Sequence, residues 1–300
     1  MNDFIQTIYH AVLEKLQGTY TLQIIVHFFR LSAAIAPYFL VAVFIQVALN
    51  RYIQLRKITL KTGNEVVGIV VAALLGLLSP LPTYAAVPIA LSFVRAGVSL
   101  SVAMAFAVAS PLINPSIFLL TASFLGLRMA LLRLLFSFII AIAGGLLIKP
   151  FHFALAMQKN DPAKRETNRS IYAEFYRTTL FLGKYFAVAL FISAAVKALL
   201  PADYISHVLG RAVGTSLLIA IALGVPFYTC GGAAIPLIDV LMEKGMSDAA
   251  AIAFFIAGPA TKLETLYIYR SMLGGKILSF YLLLTGIGAY LAGMFMYLFL

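Results

Sequence analysis

The 300-residue chain is 62% apolar and only 11% charged, whereas soluble domains average about 45–50% apolar and 25% charged residues. Apolar segments long enough to cross about 30 Å of hydrocarbon recur along its length, which excludes a soluble domain and predicts an all-α polytopic membrane protein. The net charge of +11 comes from basic residues spread over the loops. It therefore indicates membrane topology rather than binding to nucleic acid.

The first half of the chain predicts an amphipathic segment followed by one membrane repeat. Residues 1–20 carry charges of both signs among apolar residues, a pattern typical of a short helix on the membrane surface. Residues 21–148 form the first repeat. Its predicted elements in chain order are a long helix (24–49), an apolar run (66–80), a break (Pro80–Pro88), a short helix, a cap at Ser99, a second break in SPLINP (Ser110–Pro115) and a last helix (131–148).

A polar stretch, Lys149–Arg177, then separates a second repeat, residues 178–300. No comparable polar break occurs elsewhere, so we expect a linker outside the membrane. The predicted elements of the second repeat follow the same order: a helix (180–200), an apolar run (213–226), a break (Tyr228–Gly232), a short helix, a cap at Ser247, a second break in GPATKL (Gly258–Leu263) and a last helix (277–300).

The two halves also match residue by residue. Placing Pro88 on Pro236, an offset of 148, aligns the next 23 positions without a gap, with eight identities in 24 positions. Proline, glycine and serine matches at fixed spacing indicate an internal duplication. The identical pairs are Pro88/Pro236, Gly97/Gly245, Ser99/Ser247, Ala103/Ala251, Ala105/Ala253, Phe106/Phe254, Ala109/Ala257 and Pro111/Pro259.

The distribution of basic residues predicts the orientation of the chain. If each repeat crosses three times and its first break only dips into the membrane, 14 of the 22 basic residues share one side with the linker. Positive residues favour the cytoplasm, which places the linker inside and both termini on the other side. An odd number of crossings makes the two repeats inverted, whereas full crossing by the broken segments would make them parallel.

Breaks in apolar sequence need a reason, because backbone groups freed at membrane depth require protein or water partners. Paired Gly/Pro-interrupted segments in two repeats are typical of the midplane substrate site of secondary transporters. The chain is therefore predicted to be a secondary permease for a small solute. A single break could equally be a kink where helices pack closely, but four breaks in two matching pairs favour a transport pathway.

The candidate substrate-binding residues come from these breaks. Lys262 and Glu264 are ionisable groups in an apolar run, which suggests a substrate or proton path; alternatively, Lys262 snorkels or pairs structurally. Because residues two apart do not face each other on a regular helix, their direct pairing requires unwound backbone. A lysine in a cavity suits an anionic substrate. The full candidate set is Pro82, Thr83, Tyr84, Asn114 (the repeat counterpart of Lys262), Tyr228, Thr229, Cys230, Gly231, Lys262 and Glu264.

The blocks AVPIALSFVRAGVSLSVAMAFAVASPLINP and GVPFYTCGGAAIPLIDVLMEKGMSDAAAIAFFIAGPATKLETL resemble the predicted-permease family that includes ArsP-like organoarsenical efflux permeases. The resemblance covers both repeats and implies an efflux permease, with trivalent organoarsenicals as one known substrate class. Many relatives carry Cys-Ser-Cys where this chain has Pro82, Thr83 and Tyr84. Because soft metal centres prefer thiolates, this departure counts against a metal-type substrate. The single thiol, Cys230, can also be a small buried apolar residue.

Other functions find less support in the sequence. An intramembrane enzyme would have to use Cys230 with Lys262 or Glu264, but no base–nucleophile motif accompanies them. A membrane scaffold or insertion factor would not need two symmetric breaks. We expect no cofactor, metal site or catalytic residue. Without a nucleotide-binding motif, the energy for transport would come from the gradient of a coupling ion, a proton or sodium, or from the gradient of the substrate itself. The expected location is the bacterial inner membrane, and a homo-oligomer stays open.

Overall fold

The structure, a computed structural model, describes residues 20–52, 64–79, 81, 83–149, 170–210, 214–227, 232 and 234–299. Its described residues contain helices and turns but no strand, so the predicted all-α class is confirmed. The amphipathic segment before residue 20 and the centre of the linker lie outside the described residues. The helices are α1 (Tyr20–Tyr52), α2 (Glu65–Leu78), α3 (Thr83–Arg95), α4 (Leu100–Leu112), α5 (Pro115–Ile148), α6 (Ile171–Leu199), α7 (Ala202–Ile205), α8 (Gly214–Phe227), α9 (Ala234–Glu243), α10 (Asp248–Thr261), α11 (Leu263–Met272) and α12 (Gly275–Phe299).

Several of these helices are apolar and long enough to span a bilayer, so the chain is a multi-pass integral membrane protein. By length and composition alone, four described stretches qualify: Tyr20–Ala48, Leu100–Ile148, Ile171–Leu199 and Gly275–Phe299. Two bent pairs raise the number to six if each forms one span: Ala202–Gly210 with Gly214–Gly224, and Asp248–Thr261 with Leu263–Met272. The number of crossings in each repeat stays a prediction.

The helix boundaries follow local sequence signals. The hydroxyl of Ser99 accepts a hydrogen bond from the backbone N–H of Val102, and Ser247 does the same for Ala250, which confirms both predicted caps. Helix α6 begins at Ile171, nine residues earlier than hydropathy predicted. Hydropathy marks only the part of a helix that suits hydrocarbon, and polar residues can continue the same helix beyond it.

The helices repeat with the offset found in the sequence. Helix α10 starts 148 residues after α4, and α11 starts 148 residues after α5. Gly126 interrupts α5 with φ 86° and ψ 159°, and its counterpart Gly274, between α11 and α12, has φ 89°. A positive φ of this kind is open mainly to glycine. The two segments on either side of Gly126 therefore correspond to α11 and α12.

Helix α1 and its counterpart α6 lie side by side in opposite directions. Aromatic contacts join the start of α1 to the end of α6, and the end of α1 to the start of α6. The distances between ring centroids are 6.4 Å for Phe28–Phe191, 4.5 Å for Phe39–Phe186 and 6.2 Å for Phe44–Phe175. This order shows that α1 and α6 run antiparallel. They flank the core that is built mainly by α4 and α10, whose residues are buried along almost their whole lengths.

Two contacts join the halves inside this core. The Arg133 guanidinium of α5 lies 4.2 Å from the Phe255 ring centroid of α10. The Tyr269 hydroxyl of α11 donates a 3.2 Å hydrogen bond to the Ala107 carbonyl of α4. Residues 107 and 255 are counterparts at the offset of 148, so the same position of each half contacts the other half.

Candidate functional site

Residues from all four chain breaks line one cavity of about 120 Å³, several times the space that one water needs. The first break contributes Leu81 and Thr83, and the third contributes Gly232. The ends of α4 and α10 meet the starts of α5 and α11 at the other two breaks. The remaining walls are α1 and α6. The described lining comprises Phe39, Ala42, Val43, Gln46, Leu81, Thr83, Ser110, Pro111, Asn114, Ser116, Ile117, Leu120, Leu182, Phe186, Gly232, Pro259 and Lys262.

The structure brings three predicted residues together in this cavity, namely Thr83, Asn114 and Lys262. Glu264 is not among the described lining residues, but it contacts Lys262. Tyr84 belongs to α3 by its backbone, and its side chain lies outside the description. The other predicted residues also lie outside the described part of the chain: Pro82, Tyr228, Thr229, Cys230 and Gly231.

Lys262 occupies an extended link between two helices. Its backbone has φ −64° and ψ 141°, ending α10 and preceding α11. This unwinding turns its side chain toward Glu264, two residues later, and the Lys262 Nζ and Glu264 Oε2 atoms are 3.0 Å apart. The lysine side chain is 14% exposed and the glutamate side chain 42% exposed. The pairing that a regular helix forbids is thus achieved by the break.

Asn114 holds the matching position in the first half. It is also extended, with φ −144° and ψ 172°, and it precedes α5 as Lys262 precedes α11. The Asn114 Oδ1 atom accepts a 2.9 Å hydrogen bond from the Ile117 backbone N–H. Because Oδ1 already accepts the cap bond, the amide NH₂ group is the part of the Asn114 side chain that can donate hydrogen bonds. In contrast, the Lys262 side chain forms no cap bond with α11, and an ammonium cannot accept one.

Three hydroxyl groups in the lining make hydrogen bonds to other protein groups. Ser110 donates to the Leu81 carbonyl at 3.1 Å, and Ser116 donates to the Ala42 carbonyl at 2.8 Å. Thr265 Oγ1 lies 2.7 Å from the Pro259 carbonyl and 3.3 Å from Thr83 Oγ1, and it is the donor toward both oxygens. Thr83 therefore accepts a hydrogen bond from the opposite half of the chain.

Sequence reasoning missed several of these residues. Ser110 and Ser116 are short polar residues in apolar sequence: Ser110 is the first residue of the SPLINP break, and Ser116 directly follows it. Thr265 lies three residues after Lys262, which would have marked it as a polar neighbour on α11. The charge distribution predicts that Arg133 lies on the side of the membrane opposite to the linker, yet it is fully buried inside α5. Its signal was a charge within an apolar helix.

Comparison with known proteins extends the family resemblance to nearly the whole chain. The sequence matches the predicted-permease family ArsP_1 over residues 21–298. It is 34% identical over 83 residues to the UPF0718 protein MJ0584 of Methanocaldococcus jannaschii, and 29% identical over 220 residues to the UPF0718 protein YraQ of Escherichia coli. These alignments cover 28% and 68% of this chain but 23% and 62% of the relatives, less than two thirds of either. No solved structure matches the chain. Because the family match includes both halves and all four breaks, this protein belongs to the predicted-permease family.

Proposed function

We propose that the chain is a secondary permease that binds a small anionic solute in the cavity between its four breaks. The observation that carries the proposal is the convergence of all four interrupted segments on one cavity. Two halves related by duplication meet there, which is where transporters built from repeats place their substrate. The bacterial inner membrane as its location, and coupling to protons or sodium, belong to the same proposal.

The charges and helix ends at the cavity support an anion. Lys262 is the one basic side chain among the described lining residues, and no described lining residue is acidic. It stands at the N-terminus of α11, where backbone N–H groups already carry partial positive charge. A cation in this position is unfavourable unless an anion accompanies it. Glu264 supplies one negative group, and the two other protons of the ammonium remain for a solute.

The resemblance supports efflux as the direction and organoarsenical-like compounds as one substrate class. The described cavity lining offers hydroxyl, amide and ammonium groups, which bind oxygen-containing solutes better than soft metalloids. Among the described residues, no group of three His, Cys, Asp or Glu side chains could hold a metal ion. The described chemistry therefore favours an organic or oxygen-rich anion over a thiol-seeking metalloid.

The test replaces Lys262 with the residue of its counterpart, because Lys262→Asn copies Asn114 of the first half. We expect the Lys262→Asn variant to express and melt like the wild type, since the duplicated scaffold carries a neutral residue there. We expect its uptake of anionic solutes into proteoliposomes to fall at least about tenfold, the effect of losing one charged contact worth about 1.5–3 kcal/mol. The measurement is initial uptake rate against solute concentration.

The matched control is Lys184→Asn, which removes an exposed lysine of α6 outside the described cavity lining. It should leave uptake unchanged. Wild-type uptake by Lys262→Asn across pH would refute the binding role of Lys262. A variant that no longer folds would show that the ion pair with Glu264 serves the structure instead. Failure of the wild-type protein to transport any solute would count against the permease function itself.

A further inference from the structure

Charged side chains hold α9 against the end of α6 that is far from the linker. Lys197 of α6 forms an ion pair with Glu243, the last residue of α9. Lys244, the next residue, donates a 2.7 Å hydrogen bond to the Leu200 carbonyl just beyond α6. None of these four residues belongs to the described cavity lining. The end of α9 is therefore fixed to α6 away from the cavity.

A second carboxylate, Asp239, lies one turn before Glu243 on α9. Residues four apart share one face of a helix, and Lys197 acts electrostatically on both Asp239 and its own partner Glu243. Asp239 is half-buried, and its carboxylate forms no hydrogen bond or ion pair with the part of the chain that the structure describes. One lysine thus stands against two carboxylates, which leaves one excess negative charge among these three groups.

The surroundings of Asp239 favour uptake of a proton. Helix α9 has ten residues, too few to span the membrane. Burial, with the negative charge of Glu243 and against the positive charge of Lys197, raises the pKa of the Asp239 carboxyl to about 6. The other charged groups beside the ion pair, or on the helices α5 and α10 that also contact α9, are His27 and Arg30 of α1, Arg128 and Arg133 of α5, and Asp248 of α10. Of these, Arg133 is bonded within the first half, and Arg128 and Asp248 are exposed.

Helix α9 connects this charged group with the cavity. It begins at Ala234, two residues after Gly232, which lines the cavity. The Gly232 carbonyl accepts a 3.3 Å hydrogen bond from the Ile235 backbone N–H, so the cavity wall is attached to the first turn of the helix. Ten residues at 1.5 Å each span about 15 Å. Because a short helix moves as one rigid element, a shift of its far end against α6 also moves the wall at Gly232.

The first half has no corresponding proton site. At the offset of 148, Leu91 is the counterpart of Asp239, and Arg95 is the counterpart of Glu243. The Leu91 side chain is apolar and 3% exposed. The duplicated fold therefore accepts an apolar residue at this position, and the carboxylate of the second half is not explained by folding.

We infer that Asp239 is the proton-binding site that couples the transport cycle to a pH gradient. When Asp239 is ionised, Lys197 can contact two carboxylates. When Asp239 takes up a proton, the three groups become neutral, and Lys197 keeps Glu243 as its partner. Because burial of an unpaired charge is costly, the protonated form is the one in which this end of α9 can be enclosed. This inference rests on the proposed function and makes the coupling ion a proton.

Proton binding can be measured on the purified full-length protein by infrared titration. Wild-type protein should show a protonated carboxyl band that disappears with a midpoint at about pH 6, and Asp239→Asn should lack it. Asp203→Asn removes an exposed carboxylate beyond the end of α6 and should keep the band. If Asp239→Asn does not fold, Lys197→Met should move the midpoint to higher pH, because the lysine favours the ionised form.

Thermal unfolding gives a second measurement of the same proton. An Asp in an unfolded chain has a pKa of about 3.9, below the folded value of about 6. The stability contributed by the protonated carboxyl is therefore lost as the pH rises through about 6. The melting temperature of the wild type should fall relative to that of Asp239→Asn over this range, whereas Asp203→Asn should follow the wild type.

Coupling is measured in proteoliposomes with phosphate, sulfate and methanesulfonate as anionic probes. An imposed gradient of one pH unit should change wild-type accumulation of a transported probe by up to about tenfold for each coupled proton. Asp239→Asn should lose this dependence, and Asp239→Glu should keep it.

Absence of the carboxyl band from the wild type, its persistence in Asp239→Asn, or transport by Asp239→Asn that still follows the pH gradient would each overturn the inference. Uptake driven by a sodium gradient and unchanged in Asp239→Asn would assign the coupling to sodium and overturn it as well. If no probe is transported although Asp239 titrates as expected, the result would count against the proposed permease function and not against the proton site.

Discussion

At the scale of single residues, Arg133 shows how a charge is accommodated inside the membrane core. Its guanidinium donates to the Thr121 hydroxyl at 3.0 Å and to the Leu112 carbonyl at 3.3 Å, and it lies over the Phe255 ring. Leu112 ends α4 just before the break at Asn114, and Thr121 follows that break in α5. The side chain therefore ties together both sides of the first half's second break, and it supplies a donor to a helix-end carbonyl.

Removing this side chain should destabilise the protein strongly. Arg133→Ala leaves a cavity and removes two hydrogen bonds and the ring contact, so we expect a loss of about 2–4 kcal/mol. Arg133→Lys keeps the charge but not the planar pair of donors, and its loss should be intermediate. Thermal unfolding in detergent measures both. Arg128→Ala, at an exposed position of the same helix, is the control, and an Arg133→Ala variant as stable as this control would contradict the argument.

At the scale of elements, Gly126 decides that α5 is two segments rather than one. Its φ of 86° with ψ of 159° lies in a region that is essentially restricted to glycine. The short segment before it reaches from the Asn114 break to the kink, and the long segment follows the kink. In the second half Gly274, which also has a positive φ, separates α11 from α12.

A methyl group at this kink should be unfavourable for conformational reasons alone. No atom lies within 4 Å of the position where a Cβ would be added at Gly126 or at Gly183 in α6. Gly126→Ala should therefore destabilise by about 1–3 kcal/mol through backbone strain, whereas Gly183→Ala should stabilise by about 0.5–1 kcal/mol. Thermal unfolding of the two variants gives the comparison. A Gly126→Ala variant at least as stable as Gly183→Ala would show that the kink is not set by glycine.

The sequence predicted the elements better than their contacts. Proline and glycine spacing located the breaks, and the serine caps began the helices as expected, because these signals are local. The partners of Thr83 and Ser110 were not predictable, since Thr265 lies 182 residues away from Thr83 and Leu81 lies 29 residues away from Ser110. The start of α6 was missed because hydropathy does not report polar helical turns. Much of the third break, Tyr228–Gly231, stays a prediction outside the described residues.

At the scale of the whole molecule, the two halves pack against each other in opposite directions. Arg133 of the first half meets Phe255, and Tyr269 of the second half meets Ala107, the counterpart of Phe255. The same position of α4 and of α10 therefore contacts the opposite half, although Arg133 and Tyr269 are not counterparts of each other. The antiparallel packing of α1 against α6 favours an axis parallel to the membrane plane. This packing supports the inverted arrangement, which stays a prediction together with the repeat boundaries.

The orientation can be tested with single cysteines at the linker end of α6 and just beyond its other end, in α7. In a Cys230→Ser background, Asp203→Cys should react with a membrane-impermeant maleimide on intact cells. Ser170→Cys, at the linker end of the same helix, should react only after permeabilisation, because the excess of basic residues keeps that side in the cytoplasm. Both positions are exposed. The opposite pattern would reverse the orientation, and equal labelling of both would show that α6 does not cross the membrane.

The matching of α1–α5 with α6–α12 bears on the energy of the transport cycle. In an inverted duplication, each half can take the conformation that the other half had. This change converts a state open to one side of the membrane into a state open to the other side. Identical halves would give the two states equal free energy. Here unlike counterparts such as Asn114 and Lys262, or Thr121 and Tyr269, break that equality, and a difference of about 1.4 kcal/mol makes one state tenfold more populated. These pairs would then set the side of the membrane that the resting protein faces.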